Sequence, residues 1–401
     1  MRRLTLLLAA LAALSCTGSP RQETMADLRA RVIERARVQT VYMDSLLTDG
    51  RCPRTFQGDS LVTTDIGWWC SGFYPGVLWQ VYEATEDTLF RDLAVKHTLP
   101  LAGLLERNTD HDIGFQLMSS FGKMVRHLPS DDPSCHSERS EGISPKTVLT
   151  RGAGILAARL DPAVGVVRSW NGNQWNYPVI IDNMMNLELL MEYGDRAVAE
   201  RHALTTAANH FREDGTTWHL VDYADDGSVL GKQTVQGYAD DSAWARGQAW
   251  ALYGYAMMAR EERKIGNEDL AKTFYEVSAK LEGWILPRLP EDGVPYWDFS
   301  QTDCRDASAG AIIACGLLQL WEFRGRTPDD PALAMAERIL RTLASPEYLV
   351  EPRTLGGFLL KHSVGSLPGH SEVDVPLTYA DYYFLEALSL YPVSVTPLKV
   401  N

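Results

Sequence analysis

The apolar positions along the chain recur mostly at helical spacing, and few stretches show the period of two expected of a half-buried strand. They predict helices near residues 22–48, 75–86, 88–107, 116–127, 145–160, 183–193, 195–213, 242–265, 267–288, 306–325, 329–344 and 379–391. The character of these stretches alternates. In 267–288, Leu270, Phe274, Val277, Leu281 and Trp284 fall at steps of four, three, four and three, while Lys272, Glu276 and Lys280 face away, which marks an outer helix. The stretch 242–259 is apolar on nearly every side, as are 307–321 and 382–390, so these are inner helices. Twelve helices alternating outer and inner predict an all-α fold, an (α/α)6 barrel of six helical hairpins around one core. An open helical solenoid is the alternative, and the lack of a fixed-period repeat weighs against it. The barrel domain is expected to span 30–395, after a linker at 16–29. A polar insertion at 129–145 is expected at the barrel end away from the motifs below.

Arg2 and Arg3 stand before an apolar run, Leu4 to Leu14, that is too short to span a bilayer; Ser15, Cys16, Thr17, Gly18, Ser19 and Pro20 follow. This is the anatomy of a secretory signal over residues 1–15. Ala13-Leu14-Ser15-Cys16 has the form of a bacterial lipobox, so the expectation is an exported chain, periplasmic or lipid-anchored at the cell envelope through Cys16. The remaining cysteines, Cys52, Cys70, Cys135, Cys304 and Cys315, form no CxxC pair, so neither a zinc site nor a disulfide scaffold is indicated. A Cys52–Cys70 bridge would suit an oxidising compartment, with buried single thiols as the other state. With 38 basic and 52 acidic side chains the net charge is −14, which argues against nucleic acid and anionic membrane surfaces as partners. Eleven Trp, 16 Tyr and 11 Phe suit a sugar-sized ligand, since sugar rings stack on aromatic faces.

Six motifs stand before every second helix. They are Trp68 to Gly76, His111 to Phe115, Ile181 to Asn186, Gln236 to Trp250, Cys304 to Ser308 and Glu372 to Asp381. In a barrel of hairpins these connections emerge at one end. Asp before a helix is a favoured N-cap, and Asp112, Asp182, Asp241, Asp306 and Asp381 can each be read that way; the Trp residues can be read as core. Caps alone do not bring Trp69, His111, Gln236, Arg246 and Trp250 to the same end as Asp112 and Asp182, and that combination points to a site. Two carboxyls in an aromatic cleft suit acid/base work at an acetal or enol ether. A GxSxG elbow, phosphate-binding Gly loops and HExxH spacing are all missing from the sequence, and no metal or cofactor is called for.

The segments WWCSGFYPG, HDIGF, IDNMMNL, QGYADDSAWARGQAW and EVDVPLTYADYYFLEAL resemble the unsaturated glucuronyl hydrolases, glycoside hydrolase family 88, over roughly residues 30–391. The resemblance implies an (α/α)6 barrel and a hydrolase. Its substrate is the 4,5-unsaturated uronic acid that polysaccharide lyases leave at the non-reducing end of oligosaccharides. It further implies that Asp182 is the general acid/base, protonating C4 of the enol ether and assisting water addition at C5, with Asp112 as the second carboxyl. Trp69, His111, His219, Gln236, Trp244, Arg246 and Trp250 match substrate-binding positions.

Protonating carbon near neutral pH requires Asp182 to have a raised pKa. Desolvation and the like charge of Asp112 are expected to supply it against the opposing helix N-terminus. The substrate carboxylate is expected on Arg246, on His219 or on backbone N–H groups, with Trp69 or Trp250 stacked on the ring. Hydrolysis of unsaturated rhamnogalacturonan fragments (family 105), a non-catalytic sugar-binding lipoprotein and a protein-binding scaffold are the other readings. The glycan is left open, with Lys361 to Ser366 as the candidate outer subsite.

Overall fold

The first helix starts at a cap. The computed structural model describes residues 23–48, 50–107, 110–128, 144–172 and 174–392. In it the Thr24 hydroxyl accepts the Asp27 N–H at 3.1 Å and starts α1 (Met25–Leu46). The stretch 16–29 expected to be linker is therefore helical from Met25, because the cap and the burial of Leu28 draw it onto the barrel. The signal, Cys16, Cys135 and most of the polar insertion lie outside the described residues.

Six outer helices follow one rule. α1, α3 (Thr88–Thr98), α6 (Pro145–Ala157), α8 (Arg196–Asn209), α10 (Glu268–Ile285) and α12 (Pro331–Leu343) are each capped by their own preceding side chain. These are Thr24, Asp87, Ser144, Asp195, Asn267 and Asp330. The expected stripe on α10 is half right: Phe274 and Leu281 are buried, but the buried face centres on Ala271, Ser278 and Ile285, with Leu270, Val277 and Trp284 on its flank.

The inner rods are α2 (Phe73–Thr85), α4 (Ile113–Leu117), α7 (Asn183–Tyr193), α9 (Ala245–Lys264), α11 (Ala307–Phe323) and α13 (Thr378–Leu390). The rod of α4 continues through a π-helical turn (Met118–Gly122) into α5 (Lys123–His127). Consecutive rods pack side by side, and α13 returns onto α2, so the ring closes and the open solenoid is excluded. α9 and α11 are buried on almost all sides, as their composition predicts. The 242–265 prediction starts too early, because Trp244 is non-helical and pairs with Asp298 in a β-bridge, leaving Ser242 in a turn bonded to Asp298.

Among the described residues three small antiparallel sheets join the helices, a feature that helical periodicity does not reveal. β1 (Cys52–Gln57) pairs with β2 (Ser60–Thr64), and β6 (Ser363–Ser366) with β7 (Ser371–Val375). β4 (Leu220–Tyr223) lies between β3 (Pro178–Ile180) and β5 (Val229–Gln233). At three to six residues these strands are too short to show a period. Cys52 and Cys70 are free thiols, and Cys70 is sealed in the core.

The far end of the ring, at the C-termini of the inner helices, carries charge. Arg260 meets Glu188 at 2.7 Å and Glu261 at 2.8 Å, Lys264 meets Glu261 at 2.6 Å and Arg126 meets Glu192 at 3.1 Å. Cations there also complement the negative helix ends.

The rods approach closely at Gly76, where an added Cβ would stand 2.6 Å from both the Ser119 carbonyl oxygen and the Tyr382 ring. Gly76→Ala is expected to destabilise the barrel by about 1–3 kcal/mol through overpacking. Thermal unfolding of the two proteins measures it.

Candidate active site

Asp112 and Asp182 occupy the N-cap positions of α4 and α7, yet neither side chain makes a capping bond. Asp306 does cap α11, accepting the Ser308 N–H at 3.0 Å, while Asp381 accepts the N–H groups of Leu359 and Leu360 and Asp241 is an exposed loop residue. Of the five aspartates open to the capping interpretation, the two in the HDIGF and IDNMMNL segments are those at cap positions with their carboxyls left for another purpose.

Both face a cavity of about 260 Å³ lined by Trp69, Asp112, Trp170, Ile180, Asp182, His219, Val235, Gln236, Arg246 and Ser366. Local structure explains this convergence. Ile180 ends β3, and the next N–H, of Ile181, donates to the His219 carbonyl at 2.9 Å, which sets Asp182 beside His219. The β4–β5 pairing brings the chain back so that the N–H groups of Val235 and Gln236 both donate to His219 Nδ1, at 2.9 and 3.3 Å. That ring nitrogen is thus an acceptor, so the proton sits on Nε2, 3.7 Å from Asp182 Oδ2. Likewise His111 Nε2 stands 3.5 Å from Asp112 Oδ1. Burial pushes both imidazoles down to about 3, with Arg159 and Arg246 adding to the effect at His111 and His219 respectively. Both are neutral at ordinary pH.

The carboxyls move the other way. Burial raises Asp182 to about 6 against the opposing charge of Arg246 and the nearby Trp250 indole. Asp112 is raised well above the usual carboxylate range by burial and then by Asp110 and Asp182. The expected like-charge push is therefore felt at Asp112, and at Asp182 burial is the cause. Asp110 was not anticipated; its carboxylate accepts the Asp112 N–H at 3.0 Å.

Arg246 is the only cation among the lining residues, and it is only 2% exposed. Its Nη1 bonds the Val364 carbonyl and lies 3.4 Å from Asp306, while Nη2 bonds the Gly365 carbonyl at 2.6 Å. The expectation that its fork grips a substrate carboxylate has to be modified. Both terminal nitrogens already hold β6, and the guanidinium acts in the cavity mainly through its field.

Trp69 lines the cavity on a bed of rings, with centroids 5.6 Å from Phe73, 5.6 Å from Phe115 and 4.7 Å from Tyr379. Trp244 lies behind the wall, 4.7 Å from His219 and 4.5 Å from the Arg246 guanidinium. His111 and Trp250 are likewise buried rather than lining. Gln236 reaches the Gly365 carbonyl at 3.4 Å. Sequence reasoning missed Trp170, which packs edge-on against Trp175 at 5.6 Å; the signal available was two Trp residues in a polar loop just before the IDNMMNL segment. Ser366 belongs to the stretch expected to form an outer subsite. Buried polar atoms without partners gather here: His111 Nδ1, Asp182 Oδ2, His219 Nε2 and the indole N–H groups of Trp170 and Trp250.

Removing the Arg246 charge takes away the largest opposition to burial. Arg246→Gln is expected to move the Asp182 titration upward from about 6, read as the carboxyl stretch in pH-dependent infrared difference spectra against Asp182→Asn.

No family model matches the chain. An unsaturated glucuronyl hydrolase of Formosa agariphila is 38% identical over 337 residues, which cover 80% of this chain and 79% of that protein. An unsaturated chondroitin disaccharide hydrolase of Streptococcus pneumoniae is 31% identical over 343 residues, 80% of this chain and 81% of its own. Among solved structures, an unsaturated glucuronyl hydrolase specific for heparin superposes with a TM-score of 0.82 at 38% identity, covering 91% of this chain and 97% of that one. With this barrel, this pair of carboxyls and these likenesses, the chain belongs to the unsaturated glucuronyl hydrolases.

Proposed function

We propose that Asp182 is the acid by which this chain removes a 4,5-unsaturated uronic acid from the non-reducing end of lyase-generated oligosaccharides. One observation carries the assignment. The Asp182 carboxyl sits at a helix N-cap without capping, keeps Oδ2 unpartnered in the cavity and is raised to about 6, so it holds a proton at mildly acidic pH.

The chemistry follows from that proton. Asp182 donates it to C4 of the enol ether, and positive charge develops at C5 beside the ring oxygen. Water adds at C5 while the Asp182 carboxylate takes up its proton. The resulting hemiketal opens and releases the remaining sugar. His219 is not the base, since Nδ1 is occupied by two N–H groups and Nε2 already carries hydrogen; it is a neutral donor that orients Asp182 or the substrate carboxylate. Asp112, its pKa raised by burial and its acidic neighbours, opposes the charge of Arg246 less than an ordinary carboxylate would. Trp69 and Trp170 supply ring faces, and Gln236 and Ser366 meet the sugar that is released.

Glycosaminoglycan-derived disaccharides are the proposed substrate class, supported by the relatives named for chondroitin disaccharides and for heparin. Loss of the double-bond ultraviolet absorbance, followed across sulfated and unsulfated unsaturated disaccharides with a rhamnogalacturonan-derived one for comparison, tests this. A protein that only binds sugar would leave the absorbance intact. Asp182→Asn is expected to lower kcat by about 10²–10⁴-fold. In the parent, kcat should fall as pH rises through about 6, because the acid form is lost there. Full activity of Asp182→Asn removes the assignment.

The chain is also proposed to be exported and anchored through a lipid on Cys16, on the strength of the Arg2-Arg3 start, the Leu4 to Leu14 run and the Ala13 to Cys16 segment. Among the described residues no helix is long and apolar enough to cross a membrane. Metabolic labelling with a fatty acid should mark the parent and leave Cys16→Ser unlabelled; equal labelling contradicts the anchor.

A further inference from the structure

We propose that Asn186 is a positioning residue that frees the Asp112 carboxyl from its helix and aligns it for the reaction. The inference rests on the reading of Asp112 and Asp182 as the working pair. Asn186 lies four residues after Asp182, one turn deeper on the same face of α7, and is completely buried. Its Oδ1 accepts the Phe115 N–H at 2.6 Å.

Phe115 is the third residue of α4, and its N–H is one that a side chain at the Asp112 cap position would ordinarily take. Asn186 takes it from across the interface. The helix start is satisfied without its own aspartate, and the Asp112 carboxyl turns to the cavity. The substitution depends on close approach. At Gly114 an added Cβ would stand 2.5 Å from the Asn186 Cβ and Oδ1 and 2.6 Å from its Cα, so any side chain there would push the amide away.

With Oδ1 fixed on Phe115, the planar amide turns its NH₂ to the opposite side. Nδ2 makes no hydrogen bond in the structure, and the group it favours in ionised form is the Asp112 carboxyl. One side chain thus spans both groups: its acceptor holds the α4 backbone and its unpartnered N–H group faces the carboxyl, anchored on the helix that bears Asp182. A leucine of similar volume would leave the Phe115 N–H buried without a partner.

Asn186→Asp separates this role from simple capping. It keeps the size and the acceptor for Phe115 and replaces only the donor. The variant is expected to fold, to lose kcat by at least about tenfold through the missing donor while KM for an unsaturated disaccharide changes much less, and to move the alkaline limb of the kcat–pH profile upward, because a further carboxyl adds like charge. Parental kcat and pH profile in Asn186→Asp overturn the inference. So does failure of this variant to fold, since that assigns the amide to stability. Asp182→Asn, run alongside, keeps the two questions apart. If it is active, the reading of the site fails. If it is inactive while Asn186→Asp is parental, the inference alone fails.

Discussion

The mouth of this barrel depends on where the first-turn N–H groups of the inner helices find their partners. Every outer helix is capped by the residue before it, whereas of the inner rods only α11 is, through Asp306. The other inner helices start at Gly72, Asp112, Asp182, Trp244 and Leu377 without a side-chain cap of their own. The positive ends of these rods converge on one opening, and at two of them, Asp112 and Asp182, the uncommitted side chain faces the cavity. The burial of Asp112 and Asp182 and the tethering of β3 to His219 follow from keeping that opening both satisfied and vacant.

A net charge of −14 suggests a surface hostile to anions, yet the cavity follows its own local arrangement. His219 at its wall and His111 behind it are held neutral, and its two carboxyls titrate above the usual range, all through burial first. Arg246 then supplies a field of the right sign for one carboxylate. Long-range repulsion from the exposed acids is screened beyond about 10 Å at ordinary ionic strength, so the local arrangement decides.

Much of this was legible in the sequence. Alternating amphipathic and all-apolar stretches gave the ring, and the motif before each inner helix gave its mouth, because both signals are properties of helices long enough to show a period. Trp69, Asp112, Asp182, His219, Gln236 and Arg246 all reach the cavity. His111, Trp244 and Trp250 instead support the wall, a distinction that depends on side-chain depth and that spacing does not encode. Trp170 comes from a loop without periodicity, and Asp110 and Asn186 act through single hydrogen bonds between segments that only the fold brings together. The strands escaped for the same reason: Pro178–Ile180 is three residues long, and its partners lie some forty positions away.

The hairpin β6–β7 turns through four non-glycine residues in the left-handed region, His362, His370, Glu372 and Asp374, and is secured by Arg54 on Glu372 at 2.6 Å and by His362 on Asp374 at 2.6 Å. Its carbonyls at Val364 and Gly365 are the ones that hold Arg246, and Arg246 is what holds down the pKa of Asp182 against burial. The strength of the acid is therefore written partly in a segment some 180 positions downstream that never touches it. Drift in that hairpin offers a lineage a way to shift the titration of Asp182 while the aspartates themselves stay the same.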